Sequence, residues 1–199
     1  SRTAVMAGWD GKVRGVLGIA DVVRGEASGA VERLTKAGID TYMITGDNQQ
    51  TAEAIASQVG IGNVIAGVLP GAKAAKVADL QRSGAKVAFV GDGINDAPAL
   101  VQADLGMAVG SGTEVAVESG DVVLLNGDPL LVPTAIELAG ATFRTIKQNL
   151  FWAFAYNTAA IPLAALGFLN PMIAAGAMAF SSVSVVLNAL RLRGFQPQN

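Results

Sequence analysis

Gly91-Asp92-Gly93-Ile94-Asn95-Asp96-Ala97-Pro98-Ala99-Leu100 follows an apolar run at 87–90 that reads as a strand. It opens a helix with Pro98 in the first turn, where a missing N–H removes no bond. Gly91 and Gly93 let the backbone turn tightly and approach a ligand, while Asp92 and Asp96 present hard oxygen donors at the strand end. Paired carboxylates beside a phosphate are what Mg²⁺ prefers. A turn of Asp, Asn and Gly that merely caps a helix accounts for any one of these residues, but poorly for the ten together.

Outward from this loop, strand and helix patterns alternate. Two β-like runs, 3–8 and 12–19, flank a turn at Trp9-Asp10-Gly11. Ala27, Ala30, Val31, Leu34 and Ala37 mark one helix face, stopped by Gly38, and 39–44 reads as a strand. Ala52, Ile55, Ala56 and Val59 mark the next helix, closed by Gly60 and followed by a strand at 63–68. A helix at 73–82, a strand at 86–90, a short helix at 97–103 and strands at 105–109 and 122–125 complete the series. This alternation predicts an α/β fold with a mainly parallel sheet covered on both faces, binding ligands at the carboxyl ends of its strands.

Thr45-Gly46-Asp47-Asn48 repeats the strand-loop-helix arrangement, so a hydroxyl and backbone N–H groups there could hold phosphate oxygens at a helix N-terminus. A plain cap by Asp47 or Asn48 fits the same residues. Lys73, three residues after Pro70, could neutralise phosphate charge in the same cleft, although a lone lysine is more often a solvated side chain.

Composition divides the chain. Of its 199 residues 15% are charged, against about 25% in ordinary soluble domains, and 148–190 is a run of 43 with no charge. The preceding part carries 12 bases against 16 acids, a net −4 that argues against nucleic acid as a partner. With no Cys and no His, disulfides, thiol catalysis, imidazole chemistry and Cys-ligated zinc are excluded. The uncharged run splits at Asn170-Pro171 into 150–169 and 171–190, each 20 residues and long enough to span a bilayer. Arg144 and Lys147 precede the first span and Arg191 and Arg193 follow the second, which predicts a transmembrane hairpin with both ends in the cytoplasm. A single buried hairpin of a soluble protein is the alternative. The start at Ser1-Arg2-Thr3, without an initiator Met or an apolar signal region, reads as a cut inside a longer protein.

The loop at 91–100, Thr45-Gly46-Asp47-Asn48 and the spacing from Pro70 to Lys73 together resemble the phosphorylation domain of P-type ATPases, whose core is haloacid-dehalogenase-like. The resemblance covers about 15–191. It implies that Asp92 and Asp96 coordinate Mg²⁺ beside Gly91 and Gly93, that Thr45, Gly46, Lys73 and Asn95 contact the phosphoryl group, and that Asp47 positions the phosphate loop and ATP. Asp21 would be the hinge from the nucleotide-binding domain. The implied domains are 1–20, the end of the nucleotide-binding domain; 21–132, the phosphorylation domain; 133–149, a stalk; the spans 150–169 and 171–190; and a cytoplasmic tail, 191–199.

The Asp-Lys-Thr-Gly-Thr segment that carries the family's nucleophile does not occur, so the chain would hold the acceptor's surroundings without the acceptor. A membrane-tethered phosphatase of the same superfamily would need an Asp-x-Asp pair, which is also missing. A non-enzymatic fragment is the third reading. In the apolar run, Tyr156-Asn157 and the stretch from Met178 to Ser182 lie near mid-membrane, where polar groups face protein or an ion path. They resemble the last two helices of the heavy-metal branch in its copper(I)-exporting subgroup. A thioether with neutral oxygens suits Cu⁺ or Ag⁺, and neither helix holds the Asp, Glu or Lys expected for a divalent path. The resemblance therefore implies an inner-membrane Cu⁺ or Ag⁺ efflux pump working through an aspartyl phosphate, with partners in the bilayer and in the upstream part of the same protein. The fragment alone is expected to be inactive.

Overall fold

The computed structural model describes residues 3–19, 23–91, 95–110, 120–167 and 170–197. It divides into two compact units, Ser1–Pro133 and Thr134–Asn199.

The first unit opens with an antiparallel hairpin of β1 (Thr3–Trp9) and β2 (Lys12–Ile19). Asp10 and Gly11 turn it at φ 55° and 70°, the left-handed pair that matches the twist of a two-residue hairpin. Met6, Trp9, Val13, Val16 and Leu17 stay exposed on it.

The alternation then appears as read, with shorter strands. Helix α1 (Glu26–Lys36) buries Ala30 and gives way to β3 (Tyr42–Ile44). The strand starts three residues later than the sequence predicts because Gly38 turns at φ 75° and the Ile39 N–H bonds back to Leu34 O at 3.0 Å, spending 37–39 on ending the helix. Helix α2 (Gln49–Val59) is capped by Asn48, whose side chain accepts from the Thr51 N–H, and is closed by left-handed Gly60. The strand that follows, β4 (Asn63–Ile65), is also short. Beyond it, Gly67 N donates to Asp47 O at 2.8 Å and Val68 N to Thr45 O at 3.0 Å, so the backbone leaves the ladder to brace the Thr45 loop. β3 and β4 pair in parallel.

A single 3₁₀ turn, Pro70–Ala72, leads into α3 (Lys73–Arg82). Then come β5 (Ala88–Gly91), α4 (Ala97–Gln102), β6 (Leu105–Val109) and β7 (Val122–Leu124), a parallel sheet in the order β5-β6-β7. Central β6 buries Gly106, Met107 and Ala108 on both faces, as a covered parallel strand must. At Gly106 a Cβ would lie 2.7 Å from Leu100 O, so glycine there lets α4 seat directly on the sheet. Val77, Phe89, Ala99, Leu100 and Ala108 form the core cluster, with Ile44, Ala74, Val87 and Ala103 packed against it. Among the described residues β3–β4 and β5–β6–β7 are two separate parallel pieces rather than one continuous ladder, although Ile44 of β3 joins the core beneath β5.

The second unit consists of α5 and α6. Helix α5 (Leu131–Ala165) runs 35 residues and contains Pro162. Gly167 at φ 76° turns after its end, and Asn170 caps α6 (Pro171–Leu190) by accepting from Met172 N. Among the described residues one stretch, 175–194, is long and apolar enough to cross a membrane, with mean hydropathy 1.4 and none of it buried. The first expected span, 150–169, is helical as far as Ala165, so only 16 of its residues lie in the described helix and it does not meet that measure; 168 and 169 lie outside the described residues.

Asp104 anchors the start of β5. Its carboxylate accepts from Lys86 Nζ at 2.7 Å, Gln81 Nε2 at 3.0 Å and the Val87 N–H at 3.1 Å. These bonds, that from Lys86 foremost, hold its acidity well below the usual carboxylate range. A depressed carboxylate stabilises the fold above its unfolded pKa of about 3.9 and loses that contribution as pH falls towards its folded value. Asp104→Asn in the full chain is therefore expected to lower the urea midpoint at neutral pH, with the gap to the parent narrowing below about pH 4. A gap that stays constant with pH would refute the assignment.

Candidate functional site

The site forms where β5 ends. Asp96 occupies the N-cap position of α4, yet its side chain makes no capping bond. Its Oδ1 instead accepts from Lys73 Nζ at 2.7 Å, with the two side chains only 10% and 18% exposed. A carboxylate that capped α4 would bond the backbone N–H groups of the first turn; this one accepts instead from a cation on another helix. Pairing is a physical necessity for a carboxylate so enclosed. The Asp96 backbone carbonyl accepts from the Ala99 and Leu100 N–H groups, both at 2.9 Å, which fixes the residue from behind.

Gly91 makes the pair possible. A Cβ there would fall 2.6 Å from Asp96 Oδ2 and 2.9 Å from both Asp96 Cβ and Phe89 Cε1. Asn95 is exposed in the turn before Asp96. Asp92 and Gly93, expected beside them, lie outside the described residues, as does Asp21.

The second loop leaves the end of β3. Thr45 Oγ1 donates to Asp47 Oδ2 at 2.9 Å and accepts from the Asp47 N–H at 3.1 Å, closing a small ring around Gly46. A Cβ on Gly46 would sit 3.4 Å from Val68 O, so the segment after β4 walls the loop. Of the two capping candidates the helix uses Asn48, which leaves Asp47 to hold Thr45. Ile44, just before the loop, and Phe89 and Ala99, on either side of 91–96, share one core cluster. Both loops therefore follow strands whose side chains enter one core.

The donor set is oxygen plus one lysine. It fits a hard cation such as Mg²⁺ better than any softer ion. Among the described residues no group of three or more carboxylates converges, so phosphate and water would have to complete the coordination of such an ion.

The candidates of the second unit are less assembled. Asn157 Nδ2 donates to Ala153 O at 2.9 Å and Ser182 Oγ to Met178 O at 3.1 Å, each within its own helix. Met178 and Ser182 share a face of α6, with Met178 73% exposed, and Tyr156 packs near Trp152 at 6.1 Å between ring centroids. The helices meet through side chains that the sequence reading left without a role: Asn188 Nδ2 donates to Asn149 Oδ1 at 2.9 Å and to Gln148 Oε1 at 3.4 Å. Three amides in a run without charges were the available signal.

Comparison with known proteins returns the same family. Residues 2–104 match the haloacid dehalogenase-like hydrolase model. The chain is 61% identical over 194 residues to a probable copper-exporting P-type ATPase V of Mycobacterium tuberculosis (strain ATCC 25618 / H37Rv), covering 98% of itself and 25% of that protein. It is 56% identical over 192 residues to the copper-exporting P-type ATPase of Staphylococcus aureus (strain USA300), covering 96% and 24%. Among solved structures, a zinc-transporting PIB-type ATPase in its E2.Pi state superposes with a TM-score of 0.83 at 37% identity, over 96% of this chain and 31% of that one. The chain thus spans about a quarter of the length of the curated relatives it matches.

Gly91→Ala should displace Asp96 from Lys73 and lower unfolding free energy by about 1–3 kcal/mol, the usual cost of overpacking. Gly71→Ala, where a Cβ meets nothing within 4 Å, should change it little. Equal effects of the two in urea unfolding would overturn the steric account.

Proposed function

The chain belongs to the haloacid dehalogenase-like hydrolase family, and we propose that it is the C-terminal portion of a copper(I)-exporting P-type ATPase. Its phosphorylation domain would occupy 21–132, the stalk 133–149 and the membrane helices 150–169 and 171–190, with 1–20 closing the nucleotide-binding domain and 191–199 as the cytoplasmic tail. The observation that carries this reading is the enclosed Lys73–Asp96 pair, a cation and a carboxylate preset where the parallel strand β5 ends.

In this reading Asp92 and Asp96 hold Mg²⁺, which when bound neutralises charge on the transferring phosphoryl group. Lys73 supplies a fixed positive charge to the phosphoryl oxygens. Gly46 and Asn95 offer N–H donors, Thr45 offers its hydroxyl once the proton it gives Asp47 is redirected to the phosphoryl oxygen, and Asp47 positions the loop and the nucleotide. The acceptor carboxylate comes from a part of the pump outside these 199 residues, as does most of the ATP site. A strand entering between β3 and β5, which share a core without sharing hydrogen bonds, would deliver it next to Asp96 and Thr45.

The transported ion is Cu⁺ or Ag⁺, taken from the cytoplasm, with both ends of the hairpin on that side. Tyr156, Asn157, Met178 and Ser182 contribute to its path. One sulfur and neutral oxygens favour a soft monovalent ion, and neither helix offers the carboxylates or lysine that a divalent ion would call for.

In the full-length pump, Met178→Leu and Asn157→Leu should each raise the copper needed for half-maximal phosphorylation by ATP at least about tenfold, equivalent to about 1.4 kcal/mol of ligation. Phosphorylation from inorganic phosphate, which needs no bound transport metal, should persist. Copper titrations that superimpose on the parent, normalised to folded protein, would make these residues structural. The 199-residue chain alone should release no phosphate from Mg·ATP. Release that disappears on Asp92→Asn would place the acceptor inside it.

A further inference from the structure

We propose that one face of α5, at 140–152, binds the phosphate of an anionic phospholipid, with Arg144 and Lys147 as its ligands. The inference rests on the membrane reading above and concerns surface that the transport mechanism does not use. A groove of about 400 Å³ runs along this face, lined by Phe143, Arg144, Lys147, Gln148, Phe151 and Trp152. Its floor is Gly140, where a Cβ would meet nothing within 4 Å. The spacing 140, 144, 147 and 151 keeps these positions on one side of a helix.

The charge in the groove has, among the described residues, no carboxylate partner. Among the described residues neither Arg144 nor Lys147 is in an ion pair, and no Asp or Glu occurs after Glu137. Lys147 Nζ lies 5.4 Å from the centroid of the Phe143 ring, which holds the ammonium in place without neutralising it. Two desolvating aromatics follow, Phe151 at 65% and Trp152 at 53% exposure. Eight residues of helix from Arg144 to Trp152 rise about 12 Å, enough to put the cations among headgroups and the rings at the edge of the hydrocarbon. The hydrogen bonds from Asn188 to Asn149 and Gln148 bring the end of α6 to this level. A free phosphate would leave the exposed rings uncovered; a phosphate carrying a glycerol and acyl chains covers both parts of the groove.

The test uses Trp152 as reporter. The chain contains two tryptophans, so Trp9→Phe leaves Trp152 alone. Reconstituted in phosphatidylcholine vesicles, that protein should be quenched at least about twofold more strongly by brominated phosphatidylglycerol than by brominated phosphatidylcholine at equal mole fraction. Arg144→Gln with Lys147→Gln should erase the preference, and the swap Arg144→Lys with Lys147→Arg should keep it, which separates lost charge from lost folding. Arg191→Gln with Arg193→Gln should also keep it. Equal quenching of the parent by the two lipids overturns the site. So does a preference lost equally in the Arg191 and Arg193 variant, which would indicate diffuse surface attraction, or one abolished by excess inorganic phosphate, which would indicate a free-anion site. Quenching by neither lipid would refute the membrane reading along with it.

Discussion

A lysine and an aspartate enclosed together at the end of a strand set the terms for the rest of the first unit. Neither Lys73 nor Asp96 could sit where it does alone, since an unpaired charge with so little exposure costs several kcal/mol. Their contact fixes α3 against α4 across the end of β5, and below it Val77, Ala99 and Leu100 close the core between the same two helices. Gly91 is glycine because the carboxylate occupies the space a side chain would take. The order of dependence is clear: the core positions the helices, the helices bring the charges together, and the pair leaves a carboxylate and a cation facing the strand ends.

Helices were more legible in the sequence than strands. The helix 73–82 and the one from Pro171 match their expected bounds because proline, glycine and a 3.6-residue apolar period all mark them locally. The strands 39–44, 63–68 and 86–90 each came out shorter. In every case the missing residues are engaged outside the ladder: by the end of α1 at Ile39, by the Thr45 loop at Gly67 and Val68, and by Asp104 at Lys86 and Val87. Apolar alternation reports which side chains can be buried, and it is silent on where a backbone N–H will go. The pairing of Lys73 with Asp96, 23 residues apart, was beyond any local pattern.

The second unit shows a different limit. Uncharged length marked both helices, but the polar residues that matter within them fold their hydrogen bonds back onto their own turns, as Asn157 and Ser182 do. Such i−4 bonds satisfy a polar group in an apolar medium without a partner helix. They can also be exchanged for an outside ligand at small cost. Asn188 is the contrast, since it reaches another helix and ties α6 to α5.

The split of the first unit into two parallel pieces bears on how such a chain is assembled. β3 and β4 are joined through α2 alone, and β5, β6 and β7 follow one another, so each piece closes over short sequence distances and can form early. Uniting them requires Ile44 to reach the cluster that holds Phe89 and Leu100, about a third to two-fifths of the unit's length away along the chain, a slower search with a larger loop to close. Among the described residues β3 and β5 each end their sheet with an edge that no other described strand pairs, open to an extended segment. Two half-sheets that form separately, each with an unpaired edge, lengthen the time during which the nascent protein is exposed to pairing with the wrong chain.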